Sequence, residues 1–202
     1  MPFFGLCCSC PRECWEAAFQ GAERDRSGDL CPGDSARLAA ASTVIPNARY
    51  VHTNIVARDW RALARFYELV FGCTPVPPER SLAGHEIDAG TGLSGARIAG
   101  VHLRLPGFAE AGPTLEIFQY AESSADTARA VNRPGFAHIA FAVESVEAAR
   151  REVLGHGGSP VGEVVTVTIT PTARVTWCYV RDPEGNVLEL QSWTGDAGEA
   201  HG

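Results

Sequence analysis

The chain has 202 residues, of which 45% are hydrophobic and 20% are charged, a composition typical of a globular protein with a sizeable core. It carries 17 basic and 24 acidic residues and has no block of Lys or Arg, which argues against nucleic acid or an anionic membrane surface as its partner. No apolar run reaches the roughly 18 residues that a membrane-spanning helix needs.

The cysteines are unevenly placed, since five of the seven lie in the first 31 residues. They match no zinc-binding spacing, and the segment lacks the regions of a signal peptide. We interpret residues 1–46 as a poorly ordered extension, 47–196 as one domain and 197–202 as a tail. Two explanations of the extension stay open: a natural start near Val44 or Ile45, or palmitoylation of the cysteine cluster. The two remaining cysteines are far apart, which predicts a cytoplasmic protein.

The first half of the domain, residues 50–120, predicts a strand, a helix and then further strands. "YVHTNIV" alternates like a strand, and Asp59 is a suitable N-cap for the helix "WRALARFYELVFG", which Gly72 would end. "TPVPPER" is predicted to break the regular pattern, with glycine-rich turns up to Gly95. The strands "RIAGVHLRL" and "PTLEIFQY" follow.

The second half, residues 135–193, repeats this order. The strand "FAHIAFAV" precedes a helix with Ser145 as its N-cap, and then come "VGEVVTVTIT", "ARVTWCYVRD" and "VLELQSW". His138 precedes Gly158 by the same interval that separates His52 from Gly72, and "LEIFQY" matches "LELQSW". The sequence therefore predicts one strand–helix–strands module written twice.

Each module contributes one histidine from its first strand and one glutamate from its last: His52 with Glu116, and His138 with Glu189. All four lie in apolar, strand-like surroundings, where an isolated carboxylate is costly. Their equivalent positions favour a set of two histidines and two glutamates around a divalent cation. Imidazole and carboxylate together suit zinc, nickel, cobalt, manganese or iron better than calcium.

The stretches "HTNIVARDWRALARFYELVFG", "TLEIFQY", "GFAHIAFAV" and "YVRDPEGNVLELQSW" resemble the vicinal oxygen chelate superfamily. Its members include glyoxalase I, methylmalonyl-CoA epimerase, extradiol dioxygenases and the fosfomycin and bleomycin resistance proteins. The resemblance implies an α+β fold in which two βαβββ modules form a half-open mixed β-barrel around one metal ion. It also implies chelation of vicinal substrate oxygens by that metal.

Members of the family that catalyse different reactions differ in the number of protein side chains that bind the metal. Extradiol dioxygenases and fosfomycin-modifying enzymes resemble three-ligand sites, and bleomycin-binding members lack the metal set, whereas all four positions are filled here as in bacterial glyoxalase I. That resemblance implies proton transfer through a metal-bound ene-diolate, with Glu189 or Glu116 as the base. Methylmalonyl-CoA epimerase is the alternative, with Glu86 as the one separate carboxylate that stands out; a dioxygenase or a non-enzymatic drug-binding protein ranks lower.

Substrate and assembly are less constrained by the residues. Asn54 shares a strand face with His52, and Gln191 shares one with Glu189, so both are candidate substrate-binding residues. The resemblance implies a small-molecule substrate, either a glutathione hemithioacetal or an acyl-CoA, and a homodimer. The barrel can close within one chain, or module one can meet module two of a second chain.

Overall fold

The computed structural model describes residues 45, 48–124 and 130–195. The described helices and strands all lie within Arg49–Gly202. The predicted extension, residues 1–46, lies outside the described residues apart from Ile45, and so does the predicted tail, 197–202. Within the described ranges, no helix has the length and apolar character needed to cross a membrane.

Two sheets are built in the same way by the two halves of the described domain. The elements are β1 (His52–Val56), α1 (Trp60–Phe71), β2 (Thr74–Ala83), α2 (His85–Thr91), β3 (Arg97–Arg104), β4 (Thr114–Tyr120), β5 (Ile139–Ala142), α3 (Val146–Gly155), β6 (Ser159–Pro160), β7 (Val165–Thr170), β8 (Ala173–Arg181) and β9 (Val187–Gly195). Sheet one has the order β1-β4-β3-β2, and sheet two has the order β5-β9-β8 with β6 and β7 on the outer side of β8. In each sheet the first strand of the module pairs in parallel with the last. This confirms the predicted α+β fold of two modules, and neither sheet closes into a barrel.

The helix of module one begins and ends as its sequence predicts. The Asp59 side chain accepts hydrogen bonds from the backbone N–H groups of Arg61 (3.0 Å) and Ala62 (3.1 Å), which satisfies two donors at the start of α1. Gly72 follows the helix with φ 69°, a left-handed conformation that glycine adopts without a steric penalty. The predicted helix boundaries of module one are therefore confirmed.

Module two departs from the repeat at the end of its helix. Ser145 caps α3 through the N–H of Ala148 (3.2 Å), as predicted, but the helix ends at Gly155 rather than at Gly158. A Cβ atom on Gly158 would lie 2.5 Å from the carbonyl oxygen of Arg181, so this glycine permits close backbone contact with β8. The histidine-to-glycine spacing is therefore the same in both modules, but the glycines have different roles. Gly72 ends a helix, and Gly158 allows close contact with a strand.

The proline-rich segment after α1 is a strand, which corrects the prediction that it breaks the pattern. β2 pairs with β3 on one side only, contains a cis Pro77–Pro78 bond, and has a register irregularity between Val76 and Arg80. Proline is tolerated on an edge strand because one side of the backbone needs no partner. The predicted glycine-rich turns also contain the short helix α2, whose first turn includes Glu86.

The helix-covered faces of both sheets contribute to one hydrophobic core. Phe71 of α1 stacks on Phe141 of β5, with ring centroids 3.9 Å apart. The turn between β8 and β9 also contacts module one: the carboxylate of Glu184 accepts from the backbone N–H groups of Arg58 (2.9 Å) and Asp59 (2.8 Å). The modules therefore pack through their helix sides, which leaves the opposite face of each sheet open.

A buried hydrogen bond joins the modules inside this core. The Tyr67 hydroxyl, on a residue that is 0% exposed, donates to Asp182 Oδ2 at 3.0 Å. Burial raises the pKa of Tyr67 well above its usual value, so the hydroxyl keeps its proton and remains the donor. Asp182 accepts three more hydrogen bonds, from the backbone N–H groups of Glu184 and Asn186 and from the Asn186 amide.

We expect Tyr67→Phe to lower the free energy of unfolding by about 1.5–3 kcal/mol, because a hydrogen bond to a buried charged acceptor is lost. Urea denaturation measures the change. Tyr120→Phe is the matched control, since the Tyr120 hydroxyl makes no hydrogen bond within the described residues, and it should change the free energy of unfolding by less than about 0.5 kcal/mol. Equal effects of the two substitutions would contradict the role of Tyr67.

Candidate functional site

The candidate site residues lie on the open faces of the two sheets. In module one, Leu115 and Ile117 of β4 are 1% and 0% exposed on the helix-covered face, and the intervening Glu116 points to the other face. Cross-strand neighbours share a face, so the registers Asn54↔Glu116 and His102↔Glu116 place these three side chains together. His52 and Asn54 lie on one face of β1, as the alternation of that strand predicts.

Glu116 is held by three side chains of module one. His52 Nε2 lies 3.3 Å from Oε2, the Asn54 amide donates to the same oxygen at 3.2 Å, and His102 Nε2 lies 3.0 Å from Oε1. Only 9% of the Glu116 side chain is exposed. These contacts satisfy both oxygens of a carboxylate that would otherwise be costly to bury.

His102 is the site residue that the sequence did not indicate. Burial lowers its pKa below the usual value for histidine, which favours the neutral ring. A neutral imidazole has one N–H, and Glu116 requires it at Nε2; Nδ1 is then the acceptor for the Thr114 hydroxyl, 3.4 Å away. The Thr114 hydroxyl, the His102 ring and the Glu116 carboxylate therefore form one hydrogen-bonded row.

Module two has the corresponding pair with fewer contacts. His138 Nε2 lies 3.1 Å from Glu189 Oε2, and 18% of the Glu189 side chain is exposed. Tyr179 occupies the place that His102 has in module one, because Tyr179 pairs with Glu189 in the register of β8 and β9. Its ring centroid is 5.1 Å from that of His138. Gln191 lies on the same face, where its side-chain oxygen accepts from the Trp193 indole N–H at 3.0 Å.

Each histidine is thus brought to the glutamate of its own module, and the two pairs do not contact each other within the described residues. Across residues 45, 48–124 and 130–195, no group of three His, Cys, Asp or Glu side chains is arranged to hold a metal ion. The described residues thus carry two separate His–Glu pairs, one on the open face of each sheet, and each pair is called a half-site.

The spacing inside each pair suits a metal ligand set. Two ligands bonded to a divalent ion at about 2.1 Å lie roughly 3.0 Å apart at an octahedral angle and roughly 3.4 Å apart at a tetrahedral angle. The N···O distances of 3.3 Å in module one and 3.1 Å in module two fall in this range. Imidazole nitrogen and carboxylate oxygen are also the donors that such ions accept, so each half-site fits half of a coordination shell.

The family comparison covers the part of the chain that carries both half-sites. Residues 49–190 match the model of the Glyoxalase/Bleomycin resistance protein/Dioxygenase superfamily. No curated protein sequence matches the chain.

Solved structures resemble the fold at low sequence identity. A glyoxalase family protein from Bacillus cereus is 21% identical with a TM-score of 0.58, covering 78% of this chain and 100% of that one. A domain of the same superfamily from Frankia sp. EAN1pec is 17% identical (TM-score 0.47; 74% and 98% covered), and a family enzyme from Burkholderia phytofirmans PsJN is 16% identical (TM-score 0.42; 72% and 98% covered). At 21% identity, the likeness to the Bacillus cereus protein concerns the fold alone.

Proposed function

Because the chain belongs to the glyoxalase/bleomycin resistance protein/dioxygenase superfamily, we propose that it is a metal-dependent lyase or isomerase of the glyoxalase I (lactoylglutathione lyase) type. Its reaction would move a proton between adjacent carbons of a small substrate with vicinal oxygens. One observation carries this proposal: the two modules place a His–Glu pair at equivalent positions on their open faces. Of the two glutamate carboxylates, one could remain a fixed metal ligand while the other transfers the proton.

We propose that His52, Glu116, His138 and Glu189 hold one divalent ion of nickel, zinc, cobalt, manganese or iron. A metal bound there would supply Lewis-acid stabilisation of the negative charge that develops on the substrate oxygens. The donor types and the short N···O distances within each pair support the assignment.

The two pairs would meet across a homodimer. His52 lies on β1 and His138 directly precedes β5, and both strands form the edge of their sheet, with free backbone groups on one side. The helix sides of the modules are already packed against each other within the chain. A second copy that sets its β5 beside β1 would bring module one of one chain to module two of the other, and a complete ligand set would form twice per dimer.

The surroundings of the two glutamates assign them different roles. Glu116 receives contacts from His52, Asn54 and His102, so reorienting it would break several interactions. Glu189 contacts His138 alone among these groups and is twice as exposed, at 18% against 9%. We therefore assign Glu116 as the fixed ligand and Glu189 as the base that accepts the substrate proton and returns it to the neighbouring carbon.

His102 would act as a positioning residue through Glu116. Replacing it with Leu removes the Nε2–H donor, and loss of a hydrogen bond to a metal ligand weakens metal affinity by about 10- to 100-fold. His102→Gln keeps a donor and should recover most of that affinity. Competition with a chromogenic chelator measures both, and equal affinities of the Leu variant and the unmodified protein would contradict this role.

The proposed activity is tested by metal analysis together with an assay of the methylglyoxal–glutathione hemithioacetal after addition of nickel or zinc. Turnover of that substrate supports the proposal. Turnover of a methylmalonyl-CoA-type thioester instead would favour the epimerase. The candidate for its separate base is Glu86, which is exposed in the first turn of α2. Iron-dependent oxygen uptake with catechols would indicate a dioxygenase, and drug binding without metal would indicate a binding protein.

We also propose that the protein acts in the cytoplasm. Cys73 and Cys178 are both free and buried, and burial raises the pKa of the Cys73 thiol to about 11. Cysteines that are far apart and unpaired are typical of proteins in reducing compartments.

A further inference from the structure

The open face of sheet two carries three aromatic side chains beside the half-site of module two. Trp177, Tyr179 and Trp193 of β8 and β9 form this aromatic wall, and each is half-buried rather than covered. Trp177 and Tyr179 meet edge to face with centroids 5.0 Å apart, and the Tyr179 ring adjoins His138 at 5.1 Å. The aromatic wall is thus continuous with the candidate metal ligands.

The outer part of this face is apolar as well. Val165 and Val167 of β7 pair with Trp177 and Val175 and are 40% and 42% exposed. Among the described residues of β7, β8 and β9 on this face, Arg181 is the one basic side chain; it lies at the end of β8 and donates to the Gly185 carbonyl oxygen at 2.8 Å. The one cation among these residues thus lies at the end of β8, whereas Trp177 pairs with Val165 and Trp193 pairs with Val175.

We propose that the aromatic wall binds an aryl group carried by the substrate next to its vicinal oxygens. This inference rests on the proposed function, in which His138 and Glu189 help to hold the metal ion that would chelate those oxygens. Aromatic pairs prefer offset or edge-to-face contact at centroid distances of about 4.5–7 Å, and the observed pair leaves ring surface open for a third partner of this kind. The non-reacting group beside the aromatic wall is then neutral and planar.

A second, charged part of the substrate would face sheet one of the other copy in the proposed homodimer. Arg80 of β2 pairs with Gly100 beside the His102 position, and its guanidinium donates to the Pro78 carbonyl oxygen. The open face of sheet one thus supplies a cation where sheet two supplies aromatic rings. The glutathione hemithioacetal of an aromatic 2-oxoaldehyde meets both requirements. Its aryl group would contact the aromatic wall, and a carboxylate of its glutathione part would face Arg80.

The test compares two chelators that differ only in the group beside the metal-binding oxygens. Benzohydroxamate and acetohydroxamate carry phenyl and methyl, and calorimetry on the zinc-loaded protein gives their affinities. We expect benzohydroxamate to bind about tenfold more tightly, and Trp177→Val to remove that preference. Phe108→Ala is the control: it removes a 54% exposed aromatic side chain outside the aromatic wall, and it should preserve the preference for benzohydroxamate. Equal affinities, or a preference that survives in Trp177→Val, would overturn the proposal.

A second measurement separates failure of the aromatic wall from failure of the metal site. If neither hydroxamate binds, the proposed metal site fails, and the aromatic wall is judged in metal-free protein by the indole N–H resonances. Benzyl alcohol should shift the Trp177 signal and ethanol should not. The absence of any benzyl alcohol shift would overturn the proposal, and this experiment on the unmodified protein also decides the question if Trp177→Val does not fold.

Discussion

Replacing Glu189 with Gln is expected to lower kcat by about 10³-fold, because removal of a general base costs about 10²- to 10⁴-fold. The amide keeps the shape of the side chain and an oxygen that can face a metal, but it cannot accept the substrate proton. Glu189 is the more exposed of the two candidate bases and contacts only His138 among the site residues, so it is the carboxylate that can change its position. Initial rates with the hemithioacetal measure the loss, and metal analysis shows whether the ion is retained.

Glu116→Gln is the matched comparison on the other module. Glu116 is held by Asn54 and His102 and is assigned to stay in place, so we expect its amide variant to lose about tenfold in kcat through weaker metal binding alone. The ratio of the two losses decides the assignment. Equal losses, or a larger loss at Glu116, would contradict the role of Glu189 as the base.

The second large effect is expected on metal content. His52→Ala and His138→Ala each remove one imidazole from the proposed ligand set, and each should reduce the metal retained after dialysis from about one ion per chain to less than about a tenth of that. Elemental analysis of the dialysed proteins measures it. His85→Ala is the control, because His85 is an exposed residue at the start of α2. Full retention by either His52→Ala or His138→Ala would remove that residue from the ligand set.

The repeat made the four ligand candidates predictable from the sequence. A histidine at the start of the first strand (His52) or directly before it (His138) recurs with a glutamate in the last strand. Parallel pairing of these strands brings each histidine close to its glutamate, as the register Asn54↔Glu116 next to His52 shows. His102 was not predictable in this way, because the two modules differ at its position. The residue at the equivalent place in module two is Tyr179, so the repeat gives no signal there.

The segment between α1 and β3 was the part of the fold that local sequence rules misjudged. Three prolines in "TPVPPERSLA" argue against a central strand, but β2 is an edge strand whose outer side needs no backbone partners. The predicted end of α3 at Gly158 was wrong for a related reason. A glycine is needed at that position because of its close contact with the backbone of β8, and not because the helix ends there. In both places the tertiary neighbour decides the outcome, and a single sequence does not identify that neighbour.

Sequence spacing also cannot say which chain supplies each half-site. The packing of Tyr67 against Asp182 and of Phe71 against Phe141 fixes the modules through their helix sides. Those contacts depend on side chains far apart in the sequence, and they leave the pairs His52–Glu116 and His138–Glu189 separate within the chain.

Co-expression of His52→Ala and His138→Ala chains with two different affinity tags tests the shared site most directly. In a heterodimer isolated through both tags, one site lacks both histidines and the other site has both. The heterodimer should therefore bind about one metal ion, which is half the content of the unmodified dimer. Each variant alone should retain less than about a tenth of the metal of the unmodified protein. A tagged heterodimer without metal, or failure of the two chains to associate, would contradict a metal site built between copies.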